Sequence, residues 1–375
     1  MPKGKKVAVG LSGGVDSAVA AALLVAEGYE VTGVFIEAYN EPGCRTDQDR
    51  QDALQVAMRL GVRFQTLDVR KQYREKVVQY FINEYKAGRT PNPDIVCNAE
   101  IKFGLFYDWT RGKEFDYLAT GHYARISPEG YLQRPRDLGK DQSYFLWRVN
   151  PRKLDNLLFP LGEMTKQEVR AKAKELGLPN ADKPDSMGVC MMGELNLKEF
   201  LRGKLGVEPG EVVWKGRVVG KHLGLWFSTI GQRGGWEINS KIKTQKSKLD
   251  LANLPGLYVI GKNMRKNQLI VGTREEAYFS EIKIQNLEFR ITKELVKDLV
   301  EKKKLFVRLR NLGELYLVKE LGMRKQEGEI RTKEAVFAPA PGQSAVLYAR
   351  IGKTGEEVIV GGALVGACKN EKNHS

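Results

Sequence analysis

The sequence predicts an α/β chain, with an N-terminal open parallel sheet, a small mainly-β central domain and a C-terminal barrel-like β domain. Three observations carry this reading. A short apolar strand, a glycine loop, a helix and a second apolar strand open the chain as one βαβ unit. Strand and helix patterns go on alternating to about residue 120. After about residue 205 the texture changes to short β-branched runs bounded by Gly or Asn. At roughly 100–200 residues per domain, 375 residues hold two or three domains. The boundaries drawn from the pattern are 1–205, 206–275 and 276–370, with 371–375 a tail.

Taken in order, Lys6-Val7-Ala8-Val9 is a strand, Gly10 to Val15 a loop, Asp16 to Glu27 a helix stopped by Gly28, and Tyr29 to Ile36 a strand. Asp49–Leu60 is helical with Gly61 closing it, followed by strand Arg63–Leu67, helix Tyr73–Tyr85 and strand Tyr117–Thr120. Such an open sheet binds ligands outside the carboxyl ends of its strands. Thr165–Leu176 carries both helix signals, a Thr165/Glu168 capping box and a Gly177 to Pro179 stop. Farther on, Val212-Val213-Trp214, Gly256–Ile260, Gln268–Val271, Leu305–Arg310, Ala345–Tyr348 and Val358-Ile359-Val360 read as short strands, and Lys241–Lys248 as an exposed loop.

Composition narrows the classes. Apolar residues make up 42% and charged residues 29%, an ordinary globular balance. The net charge of +15 is uneven: residues 1–200 hold 29 basic and 27 acidic side chains, residues 201–375 hold 32 and 19. The positive back half asks for a polyanionic partner, as when chemistry and polyanion binding are divided between domains. No apolar run reaches the roughly 18–20 residues that cross a bilayer, and the start, Met1 to Lys6, reads neither as a signal nor as a transit peptide. Cys44, Cys97, Cys190 and Cys368 lie far apart without disulfide or zinc spacing, and with three histidines no structural metal site is expected. The expected compartment is the reducing cytoplasm, with no membrane.

Leu11-Ser12-Gly13-Gly14-Val15-Asp16-Ser17 sits between a strand and a helix. There, backbone N–H groups and the positive helix end face an anion, and the glycines let the backbone approach. There is no Walker A Lys-[Ser/Thr] and no GxGxxG. Without a lysine for the γ-phosphate, the loop suits the pyrophosphate that leaves when AMP is transferred. SGGxDS in this setting resembles the PP-loop ATP pyrophosphatases, of adenine-nucleotide α-hydrolase-like fold, which activate a carbonyl oxygen by adenylation. The resemblance implies ATP at Ser12–Ser17 and Mg²⁺ near Asp16.

Cys97 follows Pro91-Asn92-Pro93-Asp94-Ile95-Val96, where the prolines suggest an extended entry into a helix near Asn98. A thiol beside a helix N-terminus has its thiolate stabilised. Cys190 lies in the glycine-punctuated stretch Lys183–Glu194; Cys44 and Cys368 read as small buried apolar residues.

Together and in order, Gly10–Ser17, Pro91–Gly104, Gly121–Arg125, Lys140–Leu146, Asp185–Glu194, Thr229–Arg233 and Pro341–Val346 resemble the tRNA-uridine 2-sulfurtransferases, over nearly the whole chain. The resemblance implies ATP-dependent 2-thiolation of the wobble uridine: O2 is adenylated, pyrophosphate leaves, and sulfur arrives as a cysteine persulfide. It implies the persulfide on Cys190 and Cys97 as partner nucleophile, either freeing sulfide or attacking the persulfide to leave a Cys97–Cys190 disulfide that must be reduced. By the same resemblance, Gly10, Leu11, Ser12, Gly13, Gly14, Val15, Asp16, Ser17, Ile36 and Gly121 contact ATP, and Asn92, Pro93 and Asp94 receive the flipped base. Lys140, Asp141, Gln142, Arg308 and Leu309 fall in its tRNA-contacting segments, and a cysteine desulfurase or relay protein donates sulfur. His122 reads as a hydrogen-bonded structural histidine.

Three departures stand out. The family's Ser-Thr-Gly-Ile-Cys-Phe-Ile-Gly is Ser186-Met187-Gly188-Val189-Cys190-Met191-Met192-Gly193 here, Gly231-Gln232-Arg233 is followed by Gly234-Gly235-Trp236-Glu237 instead of Lys-Gly-Leu-Gly, and Ile36 stands where Met is usual. Two other readings compete. A PP-loop ligase for a small molecule explains the loop but neither cysteine nor the basic β domains. A non-catalytic RNA-binding protein explains the charge but not an intact loop.

Overall fold

The computed structural model describes residues 4–40, 45–185, 191, 196–238, 255–324, 327–351, 355–366 and 368. Its first sheet is wholly parallel. Strands β1 (Lys6–Gly10), β2 (Glu30–Glu37), β3 (Arg63–Asp68), β4 (Tyr117–Ala119) and a short pair at Leu157–Leu158 are ordered β3-β2-β1-β4 and then that pair. The order runs one way from β1 through β2 to β3 and the other way through β4, so the crevice for a ligand opens between β1 and β4. Helix α1 (Val15–Ala26) covers the sheet with an almost wholly buried, alanine-rich surface, since only small side chains fit that closely against β-strands. Helix α2 (Thr46–Leu60) ends on Gly61 in the left-handed conformation, as its sequence signal says.

The helix expected near Asn98 begins earlier. Asn92 caps it by accepting from the Asp94 and Ile95 N–H groups, Pro93 is its first residue, and it runs over 93–112 with a π-helical middle from Cys97 to Phe106. Cys97 therefore stands one turn inside, beyond the first turn in which the helix dipole acts strongly.

The central unit holds five strands, Gly210–Trp214, Arg217–His222, Glu237–Ile238, Tyr258–Asn263 and Gln268–Gly272, antiparallel except where Gln268–Ile270 runs parallel to Glu211–Val213. The expected loop Lys241–Lys248 lies outside the described residues. The last unit is a closed six-stranded antiparallel barrel of Tyr278–Phe289, Leu305–Arg308, Tyr316–Arg324, Glu327–Phe337, Ser344–Arg350 and Glu357–Val365. The pairing of its first strand with its last closes it and removes every open edge. Beyond the expected pattern, a small hairpin at Arg125–Ile126 and Leu132–Gln133 extends this sheet through Val358, and Tyr144, Leu146 and Trp147 share one apolar cluster with Val346, Tyr348 and Ile359 of the barrel. The sheet unit and the barrel are thus packed as one body. No helix among the described residues is long and apolar enough to cross a membrane.

Candidate active site

The loop after β1 lies at the β1/β4 crevice. Gly14 caps α1 without any side-chain hydrogen bond, so the first N–H groups of the helix have no capping side chain. The loop is braced from within: the Ser12 N–H donates to Ser17 Oγ (3.1 Å), and Ser17 Oγ donates to the Gly14 carbonyl (3.0 Å). Two glycines are sterically required. Gly13 has φ +76°, and a Cβ there would collide with the Asp49 carbonyl; one on Gly121, just past β4, would stand 2.7 Å from the Ser17 nitrogen. Ile36, at the end of β2, is half-buried between the clusters that hold β4 and Cys97.

Sequence reasoning missed the cations that gather here. Lys166 Nζ lies 2.6 Å from Asp16 Oδ1 and 2.8 Å from Asp185 Oδ1, and the Tyr123 hydroxyl also donates to Asp16 Oδ1 (2.9 Å). Burial, then the Asp16 charge, push that hydroxyl above its ordinary range, so it remains a proton donor. Lys140 and Arg170 join Lys166 on Asp185. Burial by itself would raise the Asp185 carboxyl, but hydrogen bonds from Lys166 and Lys140 outweigh it and hold the group well below the usual carboxylate range. Lys183 reaches the Gly13 carbonyl (3.2 Å), Asp49 and Asp52. No local motif marks these side chains, because each arrives from a part of the chain more than a hundred residues from the loop.

Cys97 is 0% exposed, in a cluster with Val69, Tyr73, Val77, Val96 and Ile101. Met191, the residue after Cys190, packs against the same cluster. Cys190 and Cys44 lie outside the described residues, and no disulfide joins two described residues. Asn98, next along the helix, donates to the Phe145 carbonyl (3.1 Å), fixing the turn that bears Cys97. The segment ahead of it is held by the barrel: the Thr90 N–H donates to the Pro341 carbonyl, and Gln343 donates to the Thr90 and Pro91 carbonyls. This gives Pro341-Gly342-Gln343 a physical task, the placement of Asn92-Pro93-Asp94. Cys368 is half-buried, and burial pushes its thiol up to about 11, which makes it an unreactive group.

His122 is buried beside Thr120 (2.8 Å) and Lys102 (3.4 Å); burial, then the Lys102 charge, lower it well below its ordinary value, so it is neutral and structural. Of the residues expected in tRNA-contacting segments, Lys140 is partly exposed and Gln142 is half-buried. Asp141 and Arg308 are interior residues, 0% and 2% exposed, paired with each other at 2.7 Å, and Leu309 is buried too. In this structure the Asp141, Arg308 and Leu309 side chains present no surface to RNA.

A glycine loop between the first strand and the first helix, at the switch point of a parallel sheet, defines a nucleotide-binding fold of the PP-loop type. Comparison with known proteins narrows this. Models described as the tRNA methyl transferase HUP domain and the tRNA methyl transferase PRC-barrel domain match residues 5–194 and 198–273. The chain is 39% identical to the tRNA-specific 2-thiouridylase MnmA of Lactobacillus delbrueckii subsp. bulgaricus over 379 residues, 98% of this chain and 97% of that protein. It is 46% identical to the tRNA-specific 2-thiouridylase MnmA 1 of Geobacillus kaustophilus over 288 residues, 74% of this chain and 75% of that protein. The chain belongs to the tRNA-specific 2-thiouridylase family, sulfurtransferase enzymes that act on tRNA.

Proposed function

We propose that this chain thiolates C2 of the wobble uridine in tRNA anticodons at the expense of ATP. The observation that carries the reading is the buried Cys97 thiol on a helix whose Phe106 ring lies against Gly10, at the base of the phosphate loop. An adenylating loop and a thiol on adjoining elements suit carbonyl activation followed by sulfur delivery. Methyl transfer, named in the family models' descriptions, needs neither.

Gly10, Leu11, Ser12, Gly13, Gly14, Val15, Asp16 and Ser17, with Ile36 and Gly121, hold ATP. Asn92, Pro93 and Asp94 receive the flipped base, whose extrusion costs a few kcal/mol, and Lys140 with the basic residues beyond 205 meets the tRNA backbone. Among the described residues no group of three His, Cys, Asp or Glu side chains could hold a metal. Asp16 takes both its hydrogen bonds on Oδ1. A single carboxylate oxygen beside a phosphate loop fits Mg²⁺, which binds through one or two carboxylates plus substrate phosphates; held by Asp16, it would supply neutralisation of phosphate charge.

Uridine O2 attacks the α-phosphorus and pyrophosphate leaves. The terminal sulfur of a Cys190 persulfide then becomes bonded to C2 and AMP departs. The Cys97 thiolate attacks Cys190 Sγ and breaks its bond to that sulfur, which leaves with the electron pair as the C2 thiocarbonyl; a Cys97–Cys190 disulfide remains, and an external dithiol returns the two electrons. A cytoplasmic desulfurase or relay protein supplies the persulfide. Residues 1–205 are the catalytic unit, 206–275 the central unit and 276–370 the RNA-side barrel.

In a single turnover, chain pre-loaded with persulfide sulfur, ATP–Mg²⁺ and total tRNA should give 2-thiouridine on nucleoside analysis. ATP cleavage that depends on a small amine or acid, with tRNA unmodified, would replace this reading by a small-molecule ligase. Gly13→Ala forces a Cβ into the Asp49 carbonyl at a left-handed φ. With strain of about 1–3 kcal/mol, ATP binding measured by equilibrium dialysis should weaken about tenfold.

A further inference from the structure

Lys140, Asp141 and Gln142 are consecutive, yet each grips a different part of the molecule. Lys140 Nζ holds Asp185 (2.9 Å). The carboxylate of Asp141 accepts from Arg308 Nη1 and Arg134 Nε, both at 2.7 Å, and from the N–H and hydroxyl of Ser143. Ser143 Oγ in turn meets the Tyr348 hydroxyl (3.0 Å), and the Arg308 guanidinium lies over the Tyr348 ring. Arg308 and Tyr348 belong to two neighbouring barrel strands. Gln142 faces the opposite way: its Oε1 accepts from the Tyr123 N–H (2.9 Å), and its own N–H donates to the Tyr123 carbonyl (3.0 Å). The Tyr123 hydroxyl ends the chain of contacts on Asp16 of the phosphate loop.

We propose that Asp141 and Gln142 form an internal strut through which the barrel positions the nucleotide loop, with Asp141, Gln142 and Arg308 acting as positioning residues. An arginine 2% exposed and a carboxylate 0% exposed cannot serve a surface contact, but they fix a rigid joint. One turn of backbone then transmits that joint to Tyr123 and so to the carboxylate at the start of α1. The barrel thereby affects ATP binding even when no RNA is present. This rests on the nucleotide reading above.

The test measures ATP affinity by equilibrium dialysis with RNA absent, on the full chain. Gln142→Leu, which removes the acceptor at Tyr123, and Asp141→Asn, which removes the charge but keeps the shape, should each weaken ATP binding about fivefold or more, the lower range of site-to-site coupling. Gln142→Glu keeps an oxygen acceptor and should stay within about twofold of the native chain, a rescue that general loosening of the fold would not give. Unchanged ATP affinity in Gln142→Leu and Asp141→Asn, with weaker tRNA binding, would overturn the strut and return these residues to an RNA-contacting role. Equal weakening in Gln142→Leu and Gln142→Glu would overturn it as well. A native chain that binds no ATP would remove the nucleotide reading itself, and the strut with it.

Discussion

Cys97→Ala is expected to lower single-turnover formation of 2-thiouridine by on the order of 10³-fold or more, while leaving ATP affinity within about twofold of the native value. On the proposed route the thiol supplies the displacement that frees sulfur from its carrier, and no other described cysteine can replace it, since Cys368 is a high-pKa thiol in the barrel. The fold should tolerate the change. Deleting one buried sulfur from the cluster of Val96, Ile101 and Tyr73 leaves a small cavity that costs on the order of 1 kcal/mol. The turn itself is held by the Asn92 cap and by Asn98 on the Phe145 carbonyl, neither of which uses the thiol. Cys97→Ser should be as inactive, because a hydroxyl does not ionise where a thiol does. Nucleoside analysis beside a thermal unfolding curve checks this; persistent thiolation in either variant would show that sulfur reaches C2 without Cys97.

How much of this was readable in advance follows from the range of each interaction. The loop Leu11–Ser17, its flanking strand and helix, and the Thr165/Glu168 capping box are local patterns, and they fold as read. The helix bearing Cys97 was placed late because Pro91-Asn92-Pro93 looks extended. Asn92 is instead the cap and Pro93 the first helical residue, where a missing N–H costs nothing. Arg308 and Asp141 fall in segments that the resemblance assigns to tRNA contact, and a sequence does not reveal that they are partners 167 positions apart. Lys166 and Lys183 were missed for the same reason. Gln343 was legible only as part of a motif; its bonds to Thr90 and Pro91 appear once the barrel packs on the sheet unit.

Arg308→Met should cost about 3–5 kcal/mol of unfolding free energy at pH 7, the usual penalty for breaking one side of a buried ion pair. The methionine fills much of the space, so what is lost is the compensation of the Asp141 charge, left with Arg134 and Ser143. Asp141→Asn should also destabilise, because Arg308 is then buried without a counter-charge, and the double variant should cost less than the two single costs together. pH gives the sign. Burial alone would raise the Asp141 carboxyl above its ordinary 3.8, but Ser143, Arg308 and Arg134 outweigh it and lower the group. A carboxyl lowered on folding contributes stability that is present above its unfolded value and lost as pH falls through the folded one. Without Arg308 the carboxyl rises, so the variant should lose stability at a higher pH than the native chain. The gap between the two should narrow once Asp141 is protonated in both. Urea unfolding at pH 7 and in steps below about pH 5 reads both effects. A variant cost that stays constant across that range would mean that Arg308 stabilises through packing on Tyr348 and not through its charge.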